Sequence, residues 1–278
     1  GVGSFGAVWA AEMSSGEEVA IKEIVCRSKQ ELDSAIFEGE LLGRLHKNDC
    51  GNDAPDGDAG SLTRVPKLLG SEADCMGPGI WCARLAMSRL PGVPLAQILE
   101  RHLETSANTV VYTGQVAQQR RFMEACEFAR EFILQLAATF ERISGIAYHR
   151  DINAQNVLVH GSYSTQNLSF ALVDFGLAVD PARWQGPRSQ ESWHHVNIGG
   201  DCRYWPMSAW LQFECGWEEL AKYPPLVAEY ATRLDFHALG IAALRALVEL
   251  APRRARRAGA QALERESLRS DGECIDGC

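Results

Sequence analysis

The mostly apolar AVWAAEM (7–13) and the β-branched-rich EEVAIKEIV (17–25) read as strands, and the turn Ser14-Ser15-Gly16 between them predicts a β-hairpin. From residue 31 the pattern changes. ELDSAIFEGELLGRLHK (31–47) has helical spacing, and an Asp-, Gly- and Asn-rich loop follows over 48–61. RVPKLLGSE (64–72) and IWCARLAMSRL (80–90) read as two more strands, so residues 1–90 predict a small, mostly antiparallel sheet with one helix. Beyond PGVPL the character turns helical. In 118–145, Phe122, Ala125, Phe132, Leu136, Phe140 and Ile143 recur at helical spacing, and Gly145 is the expected stop. Short strands return at NVLVH (156–160) and FALVDFG (170–176). An irregular stretch over 177–211 precedes a buried helix at LDFHALGIAALRALVEL (234–250), after which 251–278 reads as a polar tail. A sheet-rich first third joined near Leu90-Pro91-Gly92 to a helix-rich remainder predicts two lobes with a ligand cleft between them.

At 278 residues and 46% hydrophobic, the chain can bury a substantial core. The net charge of −9 speaks against a nucleic-acid-binding body, and no apolar run is long enough for a membrane segment. Nine cysteines without a CxxC pair fit neither a disulfide framework nor a zinc ribbon, which predicts an intracellular, cytoplasmic setting. His194, His195 and Cys202 lack metal-site spacing, and the acidic loop 49–58 lacks the spaced ligands of a calcium loop.

Several residues carry candidate chemistry. GVGSFGAV opens the chain with Gly1, Gly3 and Gly6, and VAIK places Lys22 opposite that glycine turn, a combination suited to polyphosphate. Glu38 shares a helix stripe with Leu41, Leu42 and Leu45, so its carboxylate needs a cation on burial. Lys22 is the natural partner, whereas Glu40 points about 200° away toward solvent. YHRDINAQNVLV puts Asp151 and Asn156 in one loop, and VDFG puts Asp174 at a strand end. One carboxylate to take a proton and an Asn/Asp pair to hold magnesium suit in-line phosphoryl transfer.

In this order and spacing the motifs resemble those of the eukaryotic-type protein kinase family. The resemblance covers Gly1 to about Leu250 and implies an α+β, bilobal fold: an N-lobe over 1–90 and a C-lobe over 91–250. It implies ATP and Mg²⁺ as cofactors and a protein substrate. Gly1, Gly3, Gly6 and Val8 would cover the phosphates, with Ala20, Met87 and Leu90 around the adenine and Ser88–Pro91 as hinge. Lys22, held by Glu38, would contact the α/β-phosphates. Asp151 would take the acceptor proton, Asn156 and Asp174 would bind Mg²⁺, and Asp235 would brace the backbone of His149 and Arg150. A chain starting on the glycine loop, with no late helices after Leu250, is expected to be truncated at both ends.

Departures from the family pattern modify the expectation. Asn153 stands where serine/threonine kinases usually carry Lys, Asp201 where they carry Thr, and Ser208 where a buried Glu is usual. The first two changes together predict a hydrogen bond between Asn153 and Asp201. Ser189 and Ser192 are candidate phosphorylation sites, with Arg150 as the cation to answer a phosphate. The reading is a protein kinase acting on Ser/Thr by default. Its alternatives are a nucleotide-binding pseudokinase scaffold and, less favoured, a small-molecule phosphotransferase.

Overall fold

The structure, a computed structural model, describes residues 2–3, 6–47, 64–108, 115–161, 167–186, 192–196 and 198–252. Gly1, Ser189, the acidic loop 49–58 and most of the polar tail lie outside them. The described chain is α+β. One antiparallel sheet has the order β1-β2-β3-β5-β4, built from β1 (Val2–Gly3), β2 (Gly6–Glu12), β3 (Glu18–Cys26), β4 (Leu68–Gly77) and β5 (Ile80–Ser88). Arg84 on β5 pairs in register with Glu23 and Glu72 on its two neighbours and ion-pairs with both, lacing one face across three strands.

Helix α1 (Lys29–Lys47) lies against β3, β4 and β5 with Ala35, Glu38, Leu41, Leu42 and Leu45 buried, the stripe expected from the sequence. Glu40 is exposed.

A second, three-stranded sheet follows, from β6 (Val93–Pro94), β7 (Val157–His160) and β8 (Ser169–Leu172), order β6-β7-β8. It packs with α2 (Leu95–Asn108) and α3 (Gln115–Ile143). Buried positions on α3 begin at Ala125 and run through Phe128, Phe132, Leu136, Phe140 and Ile143. Phe122, expected on that face, is 42% exposed because it lies a turn before the helix meets the core. Phe170 on β8 sets its ring edge-to-face against Phe128 and Phe132, with centroids 5.0 and 5.3 Å apart. α3 also packs against α8 (Leu234–Leu250), where the small Ala238, Ala242 and Ala246 are buried.

The stretch 177–211 is more regular than its sequence suggests. It holds the short α4 (Pro181–Trp184), a 3-10 turn (Cys202–Tyr204) and the start of α5 (Met207–Cys215); α6 (Trp217–Leu220) and α7 (Pro224–Thr232) follow. Helices of one or two turns are too short to display a period, so turn chemistry decides them. Asp180 caps α4 by accepting from Ala182 N–H, and Pro181 starts the helix. The Asp180 carboxylate also takes Arg44 of α1 at 2.6 Å, tying two distant elements. α3 ends at Ile143, two residues before the expected stop at Gly145, which keeps a negative φ.

The largest of three buried apolar clusters among the described residues spans both parts of the chain. Leu41, Leu42, Leu45 and Met87 belong to the same buried cluster as α2, α3, β7, β8 and α8, so the sheet-rich and helix-rich parts share an interior. No described helix is long and apolar enough to cross a membrane.

Phe170→Ala should cost about 3–5 kcal/mol, since two rings lose their edge contact and a cavity opens. Urea unfolding should show a lower midpoint at unchanged slope. Burial pushes the Asp180 carboxyl up, but Arg44 and the N–H of Ala182 outweigh it and hold it below the usual carboxylate range. Because the folded value is depressed, this stabilisation is complete above the ordinary aspartate range and is lost as pH falls through the lowered value. The stability difference between the wild type and Asp180→Asn should therefore be flat near neutrality and shrink in acid.

Candidate active site

Lys22 on β3 and Glu38 on α1 meet as the leucine stripe requires: Nζ donates to both carboxylate oxygens at 2.8 Å, and the residues are 4% and 2% exposed. Nζ also donates to Asp174 Oδ1 at 2.6 Å. Burial works against the Lys22 charge, but Glu38 and Asp174 outweigh it and hold the ammonium above its ordinary range. Burial pushes the Glu38 carboxyl up, opposed by Lys22. Burial also acts against the charge on Asp174, yet Lys22 prevails and its carboxyl titrates low. A Cβ on Gly176 would stand 3.2 Å from both Lys22 Nζ and Asp174 Oδ1, so the turn after Asp174 has room only for glycine without a shift.

The loop between α3 and β7 gathers a second set. Asp151 Oδ1 accepts from Asn153 Nδ2 at 2.8 Å and from Asp201 N–H at 3.0 Å, while Asp151 Oδ2 accepts from Asn156 Nδ2 at 2.9 Å. Asn156 spends its other amide hydrogen on Asp151 O, which leaves its side-chain oxygen for a ligand. The two sets are joined through the backbone. Val173 N–H donates to Asn156 O at 2.9 Å, His149 Nε2 lies 3.1 Å from Val173 O, and the His149 and Phe175 rings pack at 4.7 Å.

Arg150 and Asp174 both have left-handed backbone, φ 65° and 66°, strained for side chains with a Cβ. Asp235 at the start of α8 holds the first of them. Its carboxylate accepts from the N–H groups of His149 and Arg150, each at 2.7 Å, and is 8% exposed. Burial pushes that carboxyl above its usual range, against the pull of His149 and the N–H donors.

The glycine turn closes β1 and β2, one hairpin earlier than the β2–β3 hairpin to which the sequence assigned it; Gly3 pairs with Gly6, and the β2–β3 turn falls at 13–17. Val8 pairs with Lys22, so the ammonium strand still faces the residue two past Gly6. Gly6 has a structural duty as well: at φ 142° a Cβ would lie 2.2 Å from Glu23 O. Ala20 pairs with Met87, which is buried, and Leu90 lies just beyond β5. Gly1 is outside the described residues.

No protein-family model matches the chain, and no curated protein matches it.

Three expectations are corrected. Asn153 and Asp201 do not bond each other. Asn153 gives its N–H to Asp151 and accepts from the N–H groups of Gln155 and Asn156, whereas the Asp201 side chain turns to Arg203. Ser192 is fully buried, its hydroxyl 3.2 Å from His194 Nδ1, so it cannot receive a phosphoryl group in this arrangement. Arg150 is 9% exposed and its guanidinium lies 4.4 Å from the Trp184 ring centroid.

Sequence reasoning also missed Gly200, where a Cβ at φ 88° would meet Arg150 O at 2.7 Å and Asp151 Oδ1 at 3.0 Å. The dipeptide Gly199-Gly200 was its available signal.

Asn156 and Asp174 offer oxygen atoms on adjoining backbone, the donor type that a hard divalent cation takes; among the described residues no three His, Cys, Asp or Glu side chains gather as a metal site. Asp235→Asn should cost about 1–3 kcal/mol, because an amide oxygen can serve one of the two N–H donors and its NH₂ repels the other. Chemical denaturation against Asp235→Glu and wild type would measure it.

Proposed function

We propose that the protein is an ATP-dependent kinase that phosphorylates protein hydroxyls, Ser/Thr by default. The observation that carries the reading is the buried Lys22–Glu38–Asp174 ion cluster, backbone-linked to the Asp151–Asn156 loop. A fixed ammonium, a candidate proton acceptor and a candidate metal pair are the groups that phosphoryl transfer needs, and the backbone link supports reading them as one site. The motif resemblance to protein kinases supports the same conclusion. In this reading the sheet-rich part, 1–90, is the N-lobe, and 91–250 is the C-lobe.

Each residue then has a task. Glu38 keeps Lys22 extended so that its ammonium meets phosphate oxygens, and backbone N–H groups of the glycine turn with Val8 cover them. Ala20, Met87 and Leu90 bound the adenine. Asn156 and Asp174 hold Mg²⁺, which when bound neutralises phosphate charge. Asp151 accepts the proton of the acceptor hydroxyl as that oxygen bonds to the γ-phosphorus and the bond to ADP breaks; the products are ADP and a phosphoester. Asn153 and the N–H of Asp201 keep the Asp151 carboxylate aimed. The free thiols of Cys26, Cys75, Cys82, Cys126, Cys202 and Cys215 agree with a reducing, cytoplasmic setting.

A second reading, a nucleotide-binding pseudokinase scaffold, is favoured by Asn153: the hydrogen bond it gives Asp151 is neutral, where the resembling family has a cation. Magnesium-dependent transfer from γ-labelled ATP to generic protein substrates separates the two. Activity should appear in the wild type and fall about a hundredfold or more in Asp151→Asn. ATP-dependent thermal stabilisation without turnover would establish the scaffold, and labelling of a metabolite instead of a polypeptide would redirect the reading to small molecules.

A further inference from the structure

Arg150 is the residue before Asp151, and its side chain is captured from the far side. Nη1 donates to Leu177 O at 3.3 Å, and the guanidinium lies over Trp184. Trp184 is 1% exposed and Arg150 9%, so the cation–π contact is shielded from water, where such contacts are strongest. Trp184 is itself fixed from two directions. Its ring stands 5.7 Å from Tyr230 of α7, and its carbonyl accepts from Trp193 N–H at 3.0 Å. Trp193 in turn reaches Tyr230 at 6.0 Å. Trp193 and Tyr230 thus fix the ring on which one buried cation is stacked.

We propose that Trp184 is a positioning residue of the phosphotransfer site: its ring holds Arg150, and through Arg150 the Asp151 loop, in the role that a phosphate answered by Arg150 would otherwise fill. The inference rests on the protein-kinase reading. Two observations support it independently. The cation that would answer a phosphate is already stacked and buried, and the described candidate for modification, Ser192, is sealed in the interior with its hydroxyl bonded to His194. Arg150 also carries a strained backbone, which needs a firm hold on the side chain as well as the Asp235 contact to its N–H.

The test starts from wild-type protein with and without phosphatase treatment, assayed by transfer from γ-labelled ATP. Treated and untreated samples should agree within about twofold, a difference too small to reflect loss of an ordering contact. Activity in neither overturns the kinase reading and this inference with it; activity lost only on treatment overturns the inference alone. Trp184→Phe, which keeps an aromatic face, should retain most of the kcat. Trp184→Leu should lower kcat about tenfold or more with little change in KM for ATP, since misplacement of the loop acts on the chemical step. Equal kcat in the two variants would overturn the proposal. Should Trp184→Leu lose its far-UV signal, Arg150→Met asks the same question from the other side of the contact: a comparable kcat loss supports the proposal, and wild-type kcat refutes it.

Discussion

The arrangement depends on one ammonium group. Lys22 is buried between Glu38 and Asp174, and an unpaired charge at that depth would cost several kcal/mol. Each partner comes from a different part of the chain: Lys22 from the middle strand of the sheet, Glu38 from α1, and Asp174 from the turn after β8. Satisfying one cation therefore fixes three elements relative to one another. The leucines that flank Glu38 reinforce the constraint, because Leu41, Leu42 and Leu45 enter the core that α3 and α8 share. α1 cannot swing away without exposing both the pair and that apolar stripe.

A second constraint acts on the backbone. Arg150 and Asp174 both occupy left-handed conformations, which side chains with a Cβ resist. Neither is held by a local turn alone. Asp235 reaches from α8 to take the amides of His149 and Arg150, and Lys22 draws the Asp174 carboxylate from across the molecule. Strain is thus concentrated beside the candidate proton acceptor and the candidate metal ligand, and long-range polar contacts sustain it.

Elements with a sustained pattern were legible from the chain alone. The β2–β3 hairpin shows a β-branched-rich strand beside a turn, α1, the body of α3 and α8 each display several helical turns, and Glu38 betrayed its partner because a carboxylate on a leucine stripe demands a cation. What was illegible had no period to show. α4, α6 and α7 are set by prolines, caps and tertiary contact, and Phe122 was misjudged because spacing does not reveal where a helix enters the core. At the site, residue identity pointed to Lys22, Asp151, Asn156 and Asp174. It could not show that Trp184, more than thirty residues after Arg150, stacks on the residue that precedes Asp151.

Positions 153, 201 and 208, where the sequence differs from the pattern it resembles, each meet their contacts in a different way. Asp201 touches Asp151 through its own N–H, so its carboxylate is free to pair with Arg203 and cap the turn that follows. Asn153 uses both ends of its amide, donating to Asp151 and accepting from two loop N–H groups, a dual role that an ammonium cannot fill because it has no acceptor. At position 208, Glu229 on α7 accepts the Ser208 N–H in the first turn of α5, where a negative charge also meets the positive end of the helix. Around Asp151 the hydrogen-bond donors are neutral amides, from the side chains of Asn153 and Asn156 and the backbone of Asp201. The guanidinium of the preceding Arg150 is instead stacked on Trp184.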